Sequence, residues 1–514
     1  MLRGLLPFLC LTTSVAAAQE RPRLGVIVVV DQLPLDAFDK RLPLTKGGFK
    51  RLVSEGFRFR EMRYDAAATL TAAGHSTITT GAYASVHGIV ANEWIDGETG
   101  KSTLSVQDPA YQVLGRPPTK QDGTAPTLLR VPTLGDSVKS NAPGAKVVAI
   151  SAKDRSAILM GGRAADAAVW FDAEKPFFTS STYYGPQLAP WVQPTNLAIA
   201  EALLKKRFSW GLPGGGLTGK NPMPAAGRQG DSEPNAEQPA LQPLLDAWEV
   251  DLALSAVDAL KLGADDVPDL LSVSFSGHDR IGHEFGPDSP EGLAEFLAVD
   301  AELGRLLDGL DAKVGKGKYV VALTSDHGVC PVPEVSKQRG LDAGRVDLKA
   351  LREKLETEAD LKLGPGDWFA GNKTPGLTAT SQGRAKLFTI ADALRAIAVQ
   401  QPGVLDFVAG PKLLEPGALG SAGAVWRRGY FPGRSPDFLV LSKAYWSYGT
   451  ADVTGHASHW LYDRQVPLVF FGAGVPKGVA PFAEAIDVAP TFARLLGVPT
   501  PAGAEGRALE ALFR

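Results

Sequence analysis

The stretch VPDLLSVSFSGHDRIGHEF, residues 267–285, changes its period halfway along. Its first half is a short apolar run without a helical stripe, the pattern of a strand buried on both faces. The second half opens at Gly277 and carries His278, Asp279 and His283, three side chains able to bind a metal. On a helix only positions three or four apart share a face. His278 and His283 are five apart and diverge, whereas Asp279 and His283 are four apart and converge. A carboxylate and an imidazole are therefore presented together where a strand ends and a new turn begins.

Four further runs have the character of that strand: RLGVIVVVD (23–31), AKVVAIS (145–151), KYVVALTSD (318–326) and VPLVFFG (466–472). Amphipathic segments lie between several of them, notably AWEVDLALSAVDALKLG (247–263) and PEGLAEFLAVDAELGRLLDGLDAKVG (290–315). The alternation predicts an α/β fold, a mostly parallel sheet sandwiched by helices. Polar residues gather at the carboxyl ends of the strands, where open α/β sheets place ligands. Residues 19–334 and 441–514 read as this core, and residues 335–440, with many glycines and short elements, as an inserted cap or subdomain. Residues 211–243, beginning GLPGGGLTGKNPMP, are Gly- and Pro-rich without periodicity and read as a surface excursion.

The N-terminus MLRGLLPFLCLTTSVAAAQE has one basic residue, an apolar centre and small residues at Ala16–Ala18. That pattern reads as a secretory signal, residues 1–18, directing the chain across the inner membrane to the periplasm. No later stretch is apolar for the 18 or so residues that a membrane span needs, so no stable insertion is expected after cleavage. Cys10 leaves with the signal and Cys330 remains alone, which rules out an intrachain disulfide. Hydrophobic residues at 44% and charged residues at 21% are ordinary for a globular protein. The formal charge of -3 offers no basic footprint for nucleic acid or acidic lipid. The chain reads as a monomer.

Histidine is scarce, seven in all, and every one falls beside a Gly, Ser, Thr or Asp cluster. Asp31 ends VIVVVDQLP (26–34), Asp326 and His327 end VVALTSDHGV (320–329), and His456 lies in VTGHASHWLYD (453–463). With Asp279 and His283 these make a donor set of carboxylate and imidazole without thiolate. Such a set suits a catalytic zinc site, with manganese, iron and cobalt as the alternatives. Taken singly, Asp31 is explained equally well as a strand-end residue capping the next turn.

Jointly the windows resemble the alkaline phosphatase superfamily, and most closely its phosphate-irrepressible, PafA-type alkaline phosphatases, over about residues 25–500. TAAGH (71–75) followed by HGIVAN (87–92) is similar to the family's nucleophile segment, in which a Thr precedes an Asn by 21 positions, here Thr71 and Asn92. SAKDRSAILMGGRAADAAVWFD (151–172) resembles the branch's Lys-Asp-Arg segment and matches Lys153 and Arg155 to its phosphate-binding pair. HDRIGHEFGP (278–287), SDHGV (325–329) and GHASHWLYD (455–463) match its ligand windows, and IDVAPTFARLLG (486–497) its closing helix. The family commonly has Pro where Ala73 stands and Gly where Ala457 stands.

The resemblance implies two zinc ions, one held by Asp279, His283 and His456, the other by Asp31, Asp326, His327 and the Thr71 oxygen. It implies hydrolysis of a broad range of small phosphate monoesters through a phosphothreonine on Thr71, with Lys153, Arg155 and Asn92 on the non-bridging oxygens. Two fixed cations favour a monoester dianion over a diester monoanion. A phosphodiesterase or nucleotide pyrophosphatase of the same superfamily is the alternative, against which the Lys153–Arg155 segment argues. A catalytically silent metal-binding protein is the second alternative; it would lack a ligand or the nucleophile, and none is missing. A sulfatase would need a Cys or Ser followed by Pro and Arg, absent from this nucleophile window. GDWFAGNKT (366–374) imitates a phosphate loop but lacks the strand-to-helix context. His278 is expected not to ligate, and Cys330 to be buried.

Overall fold

The computed structural model describes residues 21–117, 123–172, 175–205, 242–417, 419–449 and 452–514. The expected signal, residues 1–18, and nearly all of the excursion 211–243 lie outside the described residues; residues 242 and 243 already belong to a helix.

Nine strands form the main sheet: β1 (Leu24–Val30), β2 (Phe57–Arg63), β3 (Val147–Ser151), β4 (Ala167–Phe171), β5 (Phe178–Thr179), β6 (Asp269–Phe275), β7 (Tyr319–Thr324), β8 (Gln465–Gly472) and β9 (Gly478–Glu484). Their order is β9-β2-β8-β7-β1-β6-β3-β4-β5. β1 is parallel to β6 and β7, and β3 to β4 and β6. The run VPLVFFG does become a strand, but β8 lies antiparallel to both β7 and β2, and β5 antiparallel to β4. The sheet is thus mostly parallel and mixed, with helices on both faces.

β1 shows why. All seven of its residues are buried, with Val26, Val28 and Val30 on one face and Ile27 and Val29 on the other. Alternate side chains of a strand point to opposite faces, so a continuous apolar run requires cover on both sides. One cover is α2 (Gln242–Leu260) with α4 (Pro290–Leu310), through Trp248, Leu252, Phe296 and Leu303. The other includes Ile78 of α1 (Thr71–Thr80) and Phe492 of α5 (Val488–Leu496). Each fully buried Val, Ile or Phe contributes about 1.5–3 kcal/mol relative to exposure. Between β6 and α4 runs α3 (Gly277–Phe285).

A smaller antiparallel sheet orders strands 369–373, 376–379, 438–442 and 404–409. It has its own apolar cluster, built on Leu355, Phe369, Phe407 and Phe438. Its other side meets Ala67 of the main body through Val408, Trp426 and Tyr430. GDWFAGNKT turns out to hold strand 369–373, whose Lys373 pairs with Glu93.

Candidate active site

The carboxyl ends of β7, β1, β6 and β3 lie side by side: Val29 is level with Thr324, Val30 with Phe275, and Ser151 with Ser274. Asp31 follows β1 directly, Asp326 and Lys153 stand two residues beyond β7 and β3, and Asp279 sits in the first turn of α3. Asp31, Asp326 and His327 offer ligand atoms within 4.8 Å of one another, and so do Asp279, His327 and His456. His283 Nε2 lies 3.3 Å from Asp279 Oδ1, and its ring 5.2 Å from that of His456. All six candidate ligands therefore converge. His327 lies between the two groups, stacked on His456 at 3.8 Å.

His456 arrives from far along the chain because two loops run together. The N–H groups of Gly328, Val329 and Cys330 donate to the carbonyls of Asp463, Tyr462 and Gly455. Ala457 in this segment is fully buried at φ 80°, in the left-handed region that favours glycine. Ala457→Gly is expected to raise stability by about 0.5–1 kcal/mol, the relief of the side-chain strain less the entropy of a freer unfolded chain. A higher urea midpoint would register it; an unchanged midpoint would show that this residue is not strained.

The three histidines share an orientation. Nδ1 of His283 lies 2.8 Å from Thr454 O, that of His327 2.9 Å from Gly328 O, and that of His456 2.7 Å from Thr69 O. A carbonyl only accepts, so each Nδ1 carries a hydrogen. Burial lowers His327 and His456 and leaves their Nε2 atoms as inward lone pairs, whereas Asp279 outweighs burial and raises His283, whose Nε2 faces Asp279 Oδ1. There the lone pairs meet carboxylate oxygens, which also only accept. His327 Nε2, Asp31 Oδ1 and Asp326 Oδ2 are accordingly buried without a hydrogen-bond partner. Buried acceptors facing one another are costly unless a cation joins them. The donor set fits divalent metal.

The electrostatics agree. Lys153 Nζ bridges Asp31 Oδ2 at 2.6 Å and Asp279 Oδ2 at 2.5 Å. Burial, and then the Asp326 charge, pushes Asp31 well above the usual carboxylate range. Burial also opposes the charge on Asp279, but Lys153 and His283 hold that carboxyl well below it. Asp326 is likewise lowered against burial, with His75 and Lys153 among the groups beside it. Burial, reinforced by His327, keeps His456 neutral.

Thr71 is the first residue of α1 and is 1% exposed. A Cβ on Gly74 would stand 2.2 Å from Asp326 O, so the first turn of α1 rests directly on the end of β7. Asn92 Oδ1 accepts from the Ala72 N–H at 2.9 Å, one of the amides that a helix start leaves without an internal partner. Ala73 lies in the same turn, where a proline's missing N–H would also be tolerated. Arg155 is further out, with Nη1 3.8 Å from Asp154 Oδ1. His278 Nδ1 lies 3.2 Å from Asp31 O and belongs to neither ligand group, and Cys330 is buried with its thiol toward Pro331 O.

Two further residues tie the ligands together. Gln32, at φ 61°, donates its backbone N–H to Asp326 Oδ1 at 3.0 Å and its side-chain amide to Asp279 Oδ1 at 2.7 Å. Its adjacency to Asp31 is its only mark in the sequence. His75 lies 3.3 Å from Asp326 Oδ2 and 2.8 Å from both Thr71 O and Ser274 Oγ. Its place one helical turn after Thr71 is a spacing that would have found it.

A family model described as type I phosphodiesterase / nucleotide pyrophosphatase matches residues 25–457. Alkaline phosphatase PhoV of Synechococcus elongatus is 31% identical over 96% of this chain and 93% of its own length. Alkaline phosphatase PafA of Elizabethkingia meningoseptica is 29% identical over 95% of this chain and 94% of its own. A crystal structure of wild-type PafA superimposes with a TM-score of 0.87 at 27% identity, covering 97% of this chain and 100% of that one. With agreement of this length in both sequence and fold, the chain belongs to the type I phosphodiesterase / nucleotide pyrophosphatase family, on the branch of the PafA-like alkaline phosphatases.

Proposed function

We propose that this chain is an alkaline phosphatase that hydrolyses many small phosphate monoesters to alcohol and inorganic phosphate, with Thr71 as nucleophile. The observation that carries the reading is the set of inward lone pairs and orphaned carboxylate oxygens at the strand ends, against the first turn of the helix that begins at Thr71. Two zinc ions are the cofactors: Asp279, His283 and His456 hold one, and Asp31, Asp326, His327 and the Thr71 oxygen the other. Bound there, they supply Lewis acidity for the attacking and leaving oxygens of an in-line displacement.

The protein's own groups do the rest. The positive end of α1 favours the Thr71 alkoxide. That oxygen bonds to phosphorus as the ester oxygen departs, giving a phosphothreonine; water then attacks phosphorus, the Thr71 oxygen leaves, and phosphate is released. Two in-line steps retain configuration. Lys153, Arg155 and the Asn92 amide bind the non-bridging oxygens. With divalent ions carrying the positive charge among the carboxylates, the Lys153 ammonium is the group freed for a substrate oxygen.

No helix among the described residues is long and apolar enough to cross a membrane. A signal cut after Ala18, a periplasmic location, a monomeric state and an inserted unit over 335–440 complete the proposal. The description of the family model favours one other reading, a phosphodiesterase, and a single experiment separates them. Metal analysis of the purified protein is expected to find zinc, chelation to abolish hydrolysis of an aryl monoester, and zinc to restore it, with the matching diester turned over far more slowly. Activity that survives verified metal loss would end the proposal, and a preference for the diester would select the other reading.

A further inference from the structure

Behind the end of β6 three acids are buried together. Asp246 and Glu249 come from α2 and Glu295 from α4, and each is 0% exposed. Asp246 Oδ2 and both oxygens of Glu249 and of Glu295 have no hydrogen-bond partner; the Ala152 N–H approaches Glu249 without completing a bond. The remaining oxygen, Asp246 Oδ1, accepts from the N–H of Gly277, the first residue of α3, at 3.4 Å. A Cβ at Gly277 would stand 2.2 Å from Glu295 Oε1 and 3.1 Å from Asp246 Oδ2, so both acids crowd the start of that helix.

Glu249 follows Asp246 by three positions on α2 and so shares its face, and Glu295 meets Asp246 at the start of α3. Ionised carboxylates only accept, so as three anions they would repel without solvent to screen them. A proton on each glutamate converts both repulsions into donations. A metal does not fit: among the described residues the groups of three acids or histidines close enough to share one are those of the active site.

We propose that Glu249 and Glu295 are held as neutral carboxylic acids donating to an ionised Asp246, and that this triad positions the first turn of α3, which carries Asp279. The charged groups facing it are Glu302 toward Asp246, and Asp31 and Lys153 toward Glu249. Burial raises all three acids, Asp246 to about 7, and the Asp246 charge raises both glutamates further. An acid whose folded pKa is raised loses stabilisation as pH climbs from the ordinary carboxylate range through the folded value. Wild-type stability therefore declines with rising pH over that window, and a protein with amides at 249 and 295 declines less.

The test is infrared spectroscopy of the zinc-loaded full chain at about pH 8, where ordinary carboxyls are ionised. The wild type is expected to show a protonated-carboxyl carbonyl band, and Glu249→Gln/Glu295→Gln to lack it while folding and retaining its metal, since each amide donates where the acid did. The single variants each remove part of the band should the double variant fail to fold. Asp246→Asn keeps an acceptor for Gly277 but not the charge, and is expected to weaken metal binding by about 10–100-fold. A lower unfolding midpoint without that loss would reduce Asp246 to a structural role and refute the positioning. No band in the wild type, or a further metal ion lost in the double variant, would overturn the neutral triad. The positioning rests on Asp279 as a ligand, as proposed above; the infrared band does not, so failure of one is distinguishable from failure of the other.

Discussion

Thr71→Ala is expected to lower monoester turnover by about 10⁴-fold or more, the scale seen when a nucleophile is removed from an otherwise intact site. The variant should trap no phosphoenzyme and should still bind metal. Its effect is local because Thr71 opens α1 with its backbone carbonyl received by His75, while Asn92 secures the next amide and Gly74 lies against Asp326. None of those contacts uses the Thr71 hydroxyl, so alanine keeps the helix start where it is. Acid-quenched protein from a single turnover of a labelled monoester reads the covalent phosphate. Near-normal turnover by the variant would dismiss Thr71 as nucleophile; loss of metal along with activity would recast its hydroxyl as chiefly a ligand.

Lys153→Ala with Arg155→Ala is expected to fall unequally on two substrates. A hydrogen bond to a charged group contributes about 1.5–3 kcal/mol, so losing two from a monoester dianion lowers kcat/KM by about 10²–10⁴-fold. A diester has one anionic charge fewer for the pair to hold, and should lose about half that free energy, or roughly 10–10²-fold. The single variants are informative because the two residues stand differently. Lys153 is 12% exposed at its side chain and lies between Asp31 and Asp279, whereas Arg155 is further out beside Asp154. Lys153→Ala therefore removes a competitor for the ligand carboxylates and should not weaken metal binding. An equal fall for monoester and diester would show that the pair does not sense the second charge.

Much of the architecture was legible locally. The runs at β1, β6 and β7 are largely apolar and buried throughout because strands covered on both faces have no solvent side to mark. The same uniformity hid their directions: VPLVFFG reads like its neighbours, and only its pairing with β7 and β2 makes β8 antiparallel. α1 was recognisable by resemblance rather than by period, since all ten of its residues are buried and no polar face remains to set a stripe.

By itself, the order of residues determined which groups would stand at strand ends, and that Asp279 and His283 would share a helical face, because both follow from the repeat of a single element. Folding alone decided that His456 meets His327 through paired loops, that Gln32 joins Asp279 to Asp326, and that three acids from two helices close beneath Gly277. Those contacts link segments distant along the chain, and local periodicity holds no information about which buried ends the sheet will set side by side.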